Sequence, residues 1–306
     1  MKILLTGAEG FVGGFVGSEL ENNSHTVIKC SYEKLPGFVQ LDITNQKQIE
    51  EVLNEHAPDA LINMAGQADV GLSWKIPQKT IELNTIGSVN ILEAVKKNNN
   101  NIRIVFAGSS DEYGFLGEKG SNVTEDFELK PLTPYAISKV AQEKMALLYF
   151  KNYKMNICLA RCFTLSGPGQ SKGFVITDFS SGIVDVENGK CDFLSVGNLE
   201  SARDFLHVKD AARAYRLIVE KGVSGEVYNI SSGKTYKLQE VLNKLVSMSN
   251  KAIAIKQDPL KMRPSDTPVI CGNNSKLKDH TGWEPEHDID SILFDTLSYW
   301  RHKEMT

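Results

Sequence analysis

KILLTGAEGFVGGFVGSEL, residues 2–20, passes from an apolar run into glycines and then into a different periodicity. Lys2 to Thr6 is short and almost continuously apolar, the pattern of a strand covered on both faces. From Phe11 onward the apolar residues Val12, Phe15, Val16 and Leu20 recur at helical spacing. Between them stand Gly7, Gly10 and Gly13. Glycine permits a tight turn and lets backbone amides approach a pyrophosphate, while the helix N-terminus adds partial positive charge. The spacing is GxxGxxG rather than GxGxxG, and three glycines alone also describe an ordinary turn. A strand before them and a helix after them supply the context that a dinucleotide-binding motif requires.

The same alternation continues outward. Strand-like runs TVIKC (26–30), GFVQLD (37–42), DALINMA (59–65), RIVFAG (103–108) and NICLARCF (156–163) are separated by helical patterns at 45–56, 78–97 and 134–152. This predicts an α/β fold, a Rossmann-type doubly wound parallel sheet built from right-handed βαβ units. After about residue 165 the pattern loosens among glycines and prolines. A helix is expected near 174–188, one more sheet strand at EVYNIS (226–231), and helices near 208–220, 237–249 and at the end of the chain. Residues 1–165 with about 205–232 are expected to form the NADP(H)-binding domain. Residues about 166–204 and 233–306 then make a smaller, interleaved substrate-binding lobe.

Composition narrows the function classes. Of 306 residues, 41% are apolar and 24% charged, which is ordinary globular usage. A net charge of −4 argues against nucleic acid or an anionic membrane surface as partner. Cys30, Cys158, Cys162, Cys191 and Cys271 are scattered without metal-ligand spacing, and no metal is expected. The apolar stretch after Lys2 is too short for a signal peptide or a membrane span, so the cytoplasm is the expected compartment.

Two further motifs carry chemistry. In Tyr135-Ala-Ile-Ser-Lys139 the i, i+4 spacing puts phenol and ammonium on one helix face. A free phenol titrates near pH 10, about three units too high for easy proton exchange, and the lysine together with a nicotinamide's positive charge is expected to lower it. In isolation the same spacing describes a surface pair. AGSSDEYG (107–114) follows the fifth strand, at the carboxyl end where open α/β sheets bind ligands. Ser109 or Ser110 there can hydrogen-bond a substrate oxygen; the bland alternative is a serine turn. The second strand ends at Cys30-Ser31-Tyr32 with no acid at the ribose position, Glu33 coming late and Lys34 after it. That favours NADP(H) and leaves NAD(H) open. Asp42 is read as an adenine neighbour or as the N-cap of a helix from 43 onward.

In this order the motifs resemble the extended short-chain dehydrogenase/reductases that modify nucleotide sugars, over nearly the whole chain. The nearest likeness is to the GDP-4-keto-6-deoxymannose reductase and GDP-mannose 4,6-dehydratase families. It is carried by AGQADVGLSW (65–74), GSSDEYG (108–114), PLTPYAISK (131–139), GPGQ (167–170), VGNLESARDF (196–205), RPSD (263–266) and TGWEP (281–285). The resemblance implies NADPH-dependent reduction of the 4-keto group of a GDP-linked 6-deoxy sugar, hexose or heptose. A 4,6-dehydratase or an epimerase is the alternative.

Residue by residue, it implies Ser109, Tyr135 and Lys139 as catalytic groups. Cofactor contacts fall on Gly7, Gly10, Phe11, Val12, Gly13, Ser31, Asp42, Ile43, Ala65, Tyr135 and Lys139. Substrate contacts fall on Ser110, Asp111, Thr164, Arg203, Arg263 (diphosphate) and Asp266 (ribose). It also implies a homodimer paired through 78–97 and 134–152. Two departures stand out. Asp111 occupies the position where dehydratases carry glutamate, one methylene longer, which favours reduction over dehydration. Thr164 and Leu165 replace an Asn-His pair at a substrate-facing turn, so the sugar need not be plain 6-deoxymannose.

Overall fold

The computed structural model describes residues 1–99, 101–114, 122–261 and 269–303. The main sheet takes β1 (Lys2–Thr6), β2 (Thr26–Ser31), β3 (Val39–Gln40), β4 (Ala60–Asn63), β5 (Arg103–Ser109), β6 (Ile157–Cys162) and β10 (Val227–Ile230). All seven are parallel, in the order β10-β6-β5-β4-β1-β2-β3. The chain therefore reverses its march across the sheet between β3 and β4. A crevice opens where the two halves diverge, at the carboxyl ends of β1 and β4.

Alternation along the strands decides which helices cover each face. Ile3 and Leu5 pack with Val16 and Leu20 of α1 (Phe11–Asn22) and with Ala211, Tyr215 and Ile218 of α8 (Val208–Lys221). Leu4, between them, points the other way. It joins Ile49 and Leu53 of α2 (Gln46–His56), Ile91 of α5 (Gly87–Asn98) and Ala146 of α6 (Pro134–Tyr153). Each such side chain contributes about 1.5–3 kcal/mol when fully buried, which is why these strands read as unbroken apolar runs.

The remaining strands form two small sheets. β7 (Thr164–Ser166), β9 (Ala202–His207), β11 (Thr235–Lys237) and β13 (Val269–Ile270) make one, and β8 (Phe193–Val196) pairs with β12 (Ala254–Gln257). They pack on α7 (Val175–Glu187), α9 (Leu238–Ser247) and α11 (Ile289–Lys303) around Phe179, Phe205, Leu242 and Trp300. A short helix, α10 (Ser275–Thr281), leads into Trp283, which is fully buried against the main sheet's cluster. These strands escaped the sequence reading because they are short and partly polar, so neither periodicity registers.

Three expectations need correction. The helix expected over 78–97 is α4 (Pro77–Ile81), a π-turn at Glu82–Ile86, and α5. The third strand, expected over 37–42, keeps only two residues, because Asp42 bends the chain by accepting the Thr44 amide at 2.8 Å. Asp42 thus makes a turn, and Asn45 is the N-cap of α2, accepting from Gln48. A helix absent from the reading, α3 (Val70–Lys75), is capped by Asp69, whose carboxylate accepts the Leu72 amide at 3.0 Å. The five cysteines are free thiols, with Cys30, Cys158 and Cys271 buried and Cys191 exposed.

Candidate active site

The crevice is lined first by glycines. Gly7 has φ +64°, and a Cβ there would lie 2.7 Å from the Ala65 nitrogen. A Cβ on Gly13 would lie 2.0 Å from the Gly7 carbonyl oxygen. α1 therefore descends onto the β1 turn more closely than any side chain permits. Its N-cap is Gly10, which supplies no side-chain acceptor, so the first-turn amides remain for an anion. Thr6 ties the two halves of the crevice together, donating to Asn63 Oδ1 and accepting the Ala65 amide at 3.2 Å. This cradle fits a dinucleotide diphosphate. At the outer end Ser31 is buried and accepts the Glu33 amide at 3.2 Å, while Tyr32 is 65% exposed. Ile43 is buried, with Asp42 and Ala65 half-buried.

The second component is brought together by β5 and α6. Thr133 caps α6 and Pro134 begins it, so Tyr135 and Lys139 leave the first two turns on one face. Tyr135 and Lys139 are each 7% exposed and Ser109 8%. The Ser109 side chain lies near the Tyr135 phenol and favours its ionised form. Lys139 Nζ donates to the Ala107 carbonyl at 2.7 Å, and Gln142 donates to the same oxygen at 3.0 Å. Together they brace α6 on β5.

The π-turn explains itself here. It turns Asn84 inward, where its amide accepts the Gln67 N–H at 2.8 Å and donates to Ser138 Oγ at 2.9 Å. Ser138 in turn donates to the Tyr135 carbonyl at 2.6 Å. No spacing rule singles out Asn84, since an isolated Asn in a helical pattern reads as surface.

In the protein alone, burial outweighs the charge of the lysine. Burial first, then Asp111, pushes the Tyr135 phenol above its ordinary value; the neighbouring Ser109 only partly offsets this. Burial also pushes the Lys139 ammonium down to about 8. Desolvation disfavours both charged forms. In the protein alone the phenol is therefore held as a loaded proton donor rather than lowered by its lysine.

Asp111 is exposed toward the site, whereas Glu112, next in sequence, is fully buried. Ser110 is buried beside them. Ser109 lies opposite Cys162 in register, and Thr164 begins β7 two residues further on. β7 pairs with β9, which carries Arg203, so Thr164 and Arg203 share one sheet beyond the triad. Asp204 accepts from the Ser232, Gly233 and Gly272 amides, and Asp210 from those of Glu286 and His287. Arg263 and Asp266 lie outside the described residues.

Beneath Ser109 lies a polar floor that the sequence did not announce. Arg161 donates bidentately to Glu143 at 2.8 and 2.7 Å, and also to Tyr113 Oη and the Glu125 carbonyl. Tyr113 donates on to Asn229 at 2.7 Å. Arg161 sits within the apolar run of β6, where the sequence offers no sign of its partners.

A family model for GDP-mannose 4,6 dehydratase matches residues 4–296. The chain belongs to this family. It is 32% identical to the GDP-6-deoxy-D-mannose reductase of Pseudomonas aeruginosa, covering 99% of this chain and 98% of that one. It is 25% identical to the GDP-mannose 4,6-dehydratase of Yersinia enterocolitica, covering 84% and 77%. Among solved structures it resembles RMD from Pseudomonas aeruginosa complexed with NADPH, with TM-score 0.89, 30% identity and coverage of 99% and 100%. A UDP-glucose 4-epimerase from Thermotoga maritima matches at the same TM-score with 25% identity over 99% and 100%. The family is thus one of NAD(P)-dependent nucleotide-sugar enzymes, and the Rossmann-type architecture expected from the glycine turn is the one observed.

Proposed function

We propose that the protein reduces the 4-keto group of a GDP-linked 6-deoxy sugar, with NADPH as reductant. The observation that carries this reading is the Tyr135 phenol, buried beside Ser109 and Lys139 and held protonated. Ketone reduction needs a proton donor beside the substrate carbonyl, and a buried phenol supplies one. The similarity to a GDP-6-deoxy-D-mannose reductase supports the same reading.

Gly7, Gly10, Phe11, Val12 and Gly13 would hold the cofactor diphosphate on the α1 N-terminus. Ser31, Asp42 and Ile43 would meet the adenosine end, and Ala65, Tyr135 and Lys139 the nicotinamide ribose. When bound, the reduced nicotinamide supplies the hydride for C4. Tyr135 protonates the carbonyl oxygen as charge develops there, and Ser109 orients that oxygen by a hydrogen bond. Lys139 holds positive charge near the phenol. Ser110, Asp111 and Thr164 border the sugar, with Arg203, Arg263 and Asp266 on the nucleotide side. Arginine forks suit diphosphate oxygens in an otherwise acidic protein.

The lobe of about 166–204 and 233–306 is the proposed substrate side. The reaction belongs to surface-polysaccharide biosynthesis in the cytoplasm, in keeping with the absence, among the described residues, of a helix able to cross a membrane.

The test is loss of NADPH absorbance with GDP-4-keto-6-deoxymannose, with GDP-mannose in parallel. Loss with the keto sugar alone is the expected outcome. A keto product from GDP-mannose without added reductant would make the protein a dehydratase instead. We also propose a homodimer through the outer faces of α4–α5 and α6, where Ile86, Ile137 and Leu148 are about half exposed. Leu148→Asp is expected to convert a dimer to monomer in sedimentation; an unchanged mass would place the interface elsewhere.

A further inference from the structure

The turn after β5 sends two acidic side chains in opposite directions. It is a 3-10 turn, Ser110–Tyr113, closed as a capping box. Ser109 Oγ accepts the Asp111 amide at 3.1 Å, and Glu112 Oε1 accepts the Ser109 amide at 2.8 Å. Glu112 therefore fixes the backbone of Ser109, whose side chain lies near the Tyr135 phenol and favours its ionised form. Its carboxyl lies flat against the Gly108 backbone. A Cβ on Gly108 would fall 2.7 Å from Glu112 Oε1 and 3.1 Å from the Ala160 carbonyl oxygen, so glycine is required for the carboxyl to lie there.

The other oxygen, Oε2, is fully buried and has no hydrogen-bond partner among the described residues. The nearby cations are already engaged. Arg161 is bound bidentately by Glu143 and gives its Nη1 hydrogens to Tyr113 and the Glu125 carbonyl. Lys139 donates to the Ala107 carbonyl. A carboxylate with one amide donor and a bare buried oxygen is expensive, and such a group takes up a proton instead.

We propose that Glu112 is a positioning residue of the active site, an uncharged carboxyl that holds Ser109 from below and keeps a negative charge away from Tyr135 and Lys139. This rests on the reductase reading for its catalytic consequence, though not for the protonation itself. The groups around Glu112 come from every side: Tyr135, Lys139 and Glu143 on α6, Arg161 and Cys162 on β6, Asp111 and Tyr113 on its own turn. Burial first, and then the charge of Glu143, raises Glu112 to about 8, while Arg161, the Ser109 amide and Lys139 pull less strongly the other way. Near neutral pH the neutral acid therefore dominates.

The sign of the pH dependence follows from linkage. The folded protein holds the Glu112 proton to about pH 8, whereas the unfolded chain releases it near the ordinary value of 4.5. The contribution of Glu112 to stability is fully present below pH 4.5 and declines as pH rises to about 8. Glu112→Gln is neutral at every pH and escapes this decline.

The test compares thermal unfolding of wild type and Glu112→Gln from pH 4.5 to 8.5, without substrate. The Tm of Glu112→Gln minus that of wild type is expected to rise with pH, ending several degrees higher at pH 8 than at pH 4.5. Parallel curves, a difference that falls with pH, or a Glu112→Gln protein that does not fold would each overturn the proposal. NADPH-oxidation kinetics supply the second arm. Glu112→Asp, which withdraws the carboxyl from the Ser109 amide, should lower kcat by about tenfold or more with little change in KM, because small misplacements of catalytic groups are costly. Glu112→Gln, which keeps an oxygen at that amide, should lose less than Glu112→Asp; the reverse order would remove the positioning role. Wild type that oxidises no NADPH while the unfolding curves diverge as expected would sink the reductase reading and leave the neutral carboxyl standing.

Discussion

Tyr135→Phe should lower kcat by about 10²–10⁴-fold, the usual worth of a positioned general acid, while NADPH affinity stays within a few-fold of wild type. The substitution removes one oxygen from a ring that is otherwise packed and nearly buried, so α6 and the Lys139–Ala107 hydrogen bond are left in place. What is lost is the proton itself. Because burial and Asp111 hold the phenol above its ordinary value, the wild-type donor stays loaded through the neutral range. The variant has only water to replace it. Single-turnover rates and NADPH titration by fluorescence separate chemistry from binding. Retention of most activity would take Tyr135 out of the mechanism and move the search for an acid to Asp111, the exposed carboxyl on the adjoining turn.

Arg161→Met should be the most damaging single change to stability, at about 3–5 kcal/mol, the range for removing one partner of a buried ion pair. Arg161 and Glu143 side chains are 4% and 2% exposed, and the guanidinium also serves Tyr113 and the Glu125 carbonyl. Removing it leaves the buried Glu143 with only the longer contact to Lys144 at 3.7 Å, takes a donor from Tyr113 and the Glu125 carbonyl, and sets a poorly compensated charge beside Glu112. For a chain of this size the loss corresponds to a Tm lower by on the order of 10 °C. Adding Glu143→Leu should restore a substantial part of it, since a buried pair replaced by apolar groups is often close to neutral. A double variant no more stable than Arg161→Met would show that the damage comes from Tyr113 and Glu125 rather than from the stranded carboxylate. Unfolding in urea for the wild type, both single variants and the double gives the coupling directly.

Local chemistry was legible wherever one residue type performs it alone. Gly7 and Gly13 announced the cradle because backbone approach at those distances excludes every side chain. The i, i+4 pairing of Tyr135 and Lys139 was visible because helical geometry fixes it. Asp111 and Glu112 show the limit of such reading. They are adjacent and both acidic, and only the 3-10 turn makes one a surface group and the other a core group. In the protein alone the phenol near Lys139 is raised for the same reason: spacing supplies the neighbour, but burial, which depends on the whole fold, exceeds its effect.

By itself, the sequence determined the parallel α/β sheet, the crevice at its glycine turn and the Tyr135–Lys139 pairing on one helix face, because hydrophobic period and backbone sterics act within a few residues. Tertiary structure alone decided the π-turn that seats Asn84, the partners of Arg161 and the setting of Glu112. Those depend on side chains brought together from 18 to 54 positions apart, as in Arg161 with Glu143 and Asn84 with Ser138. Their energies come from desolvation, which no local window of the chain contains.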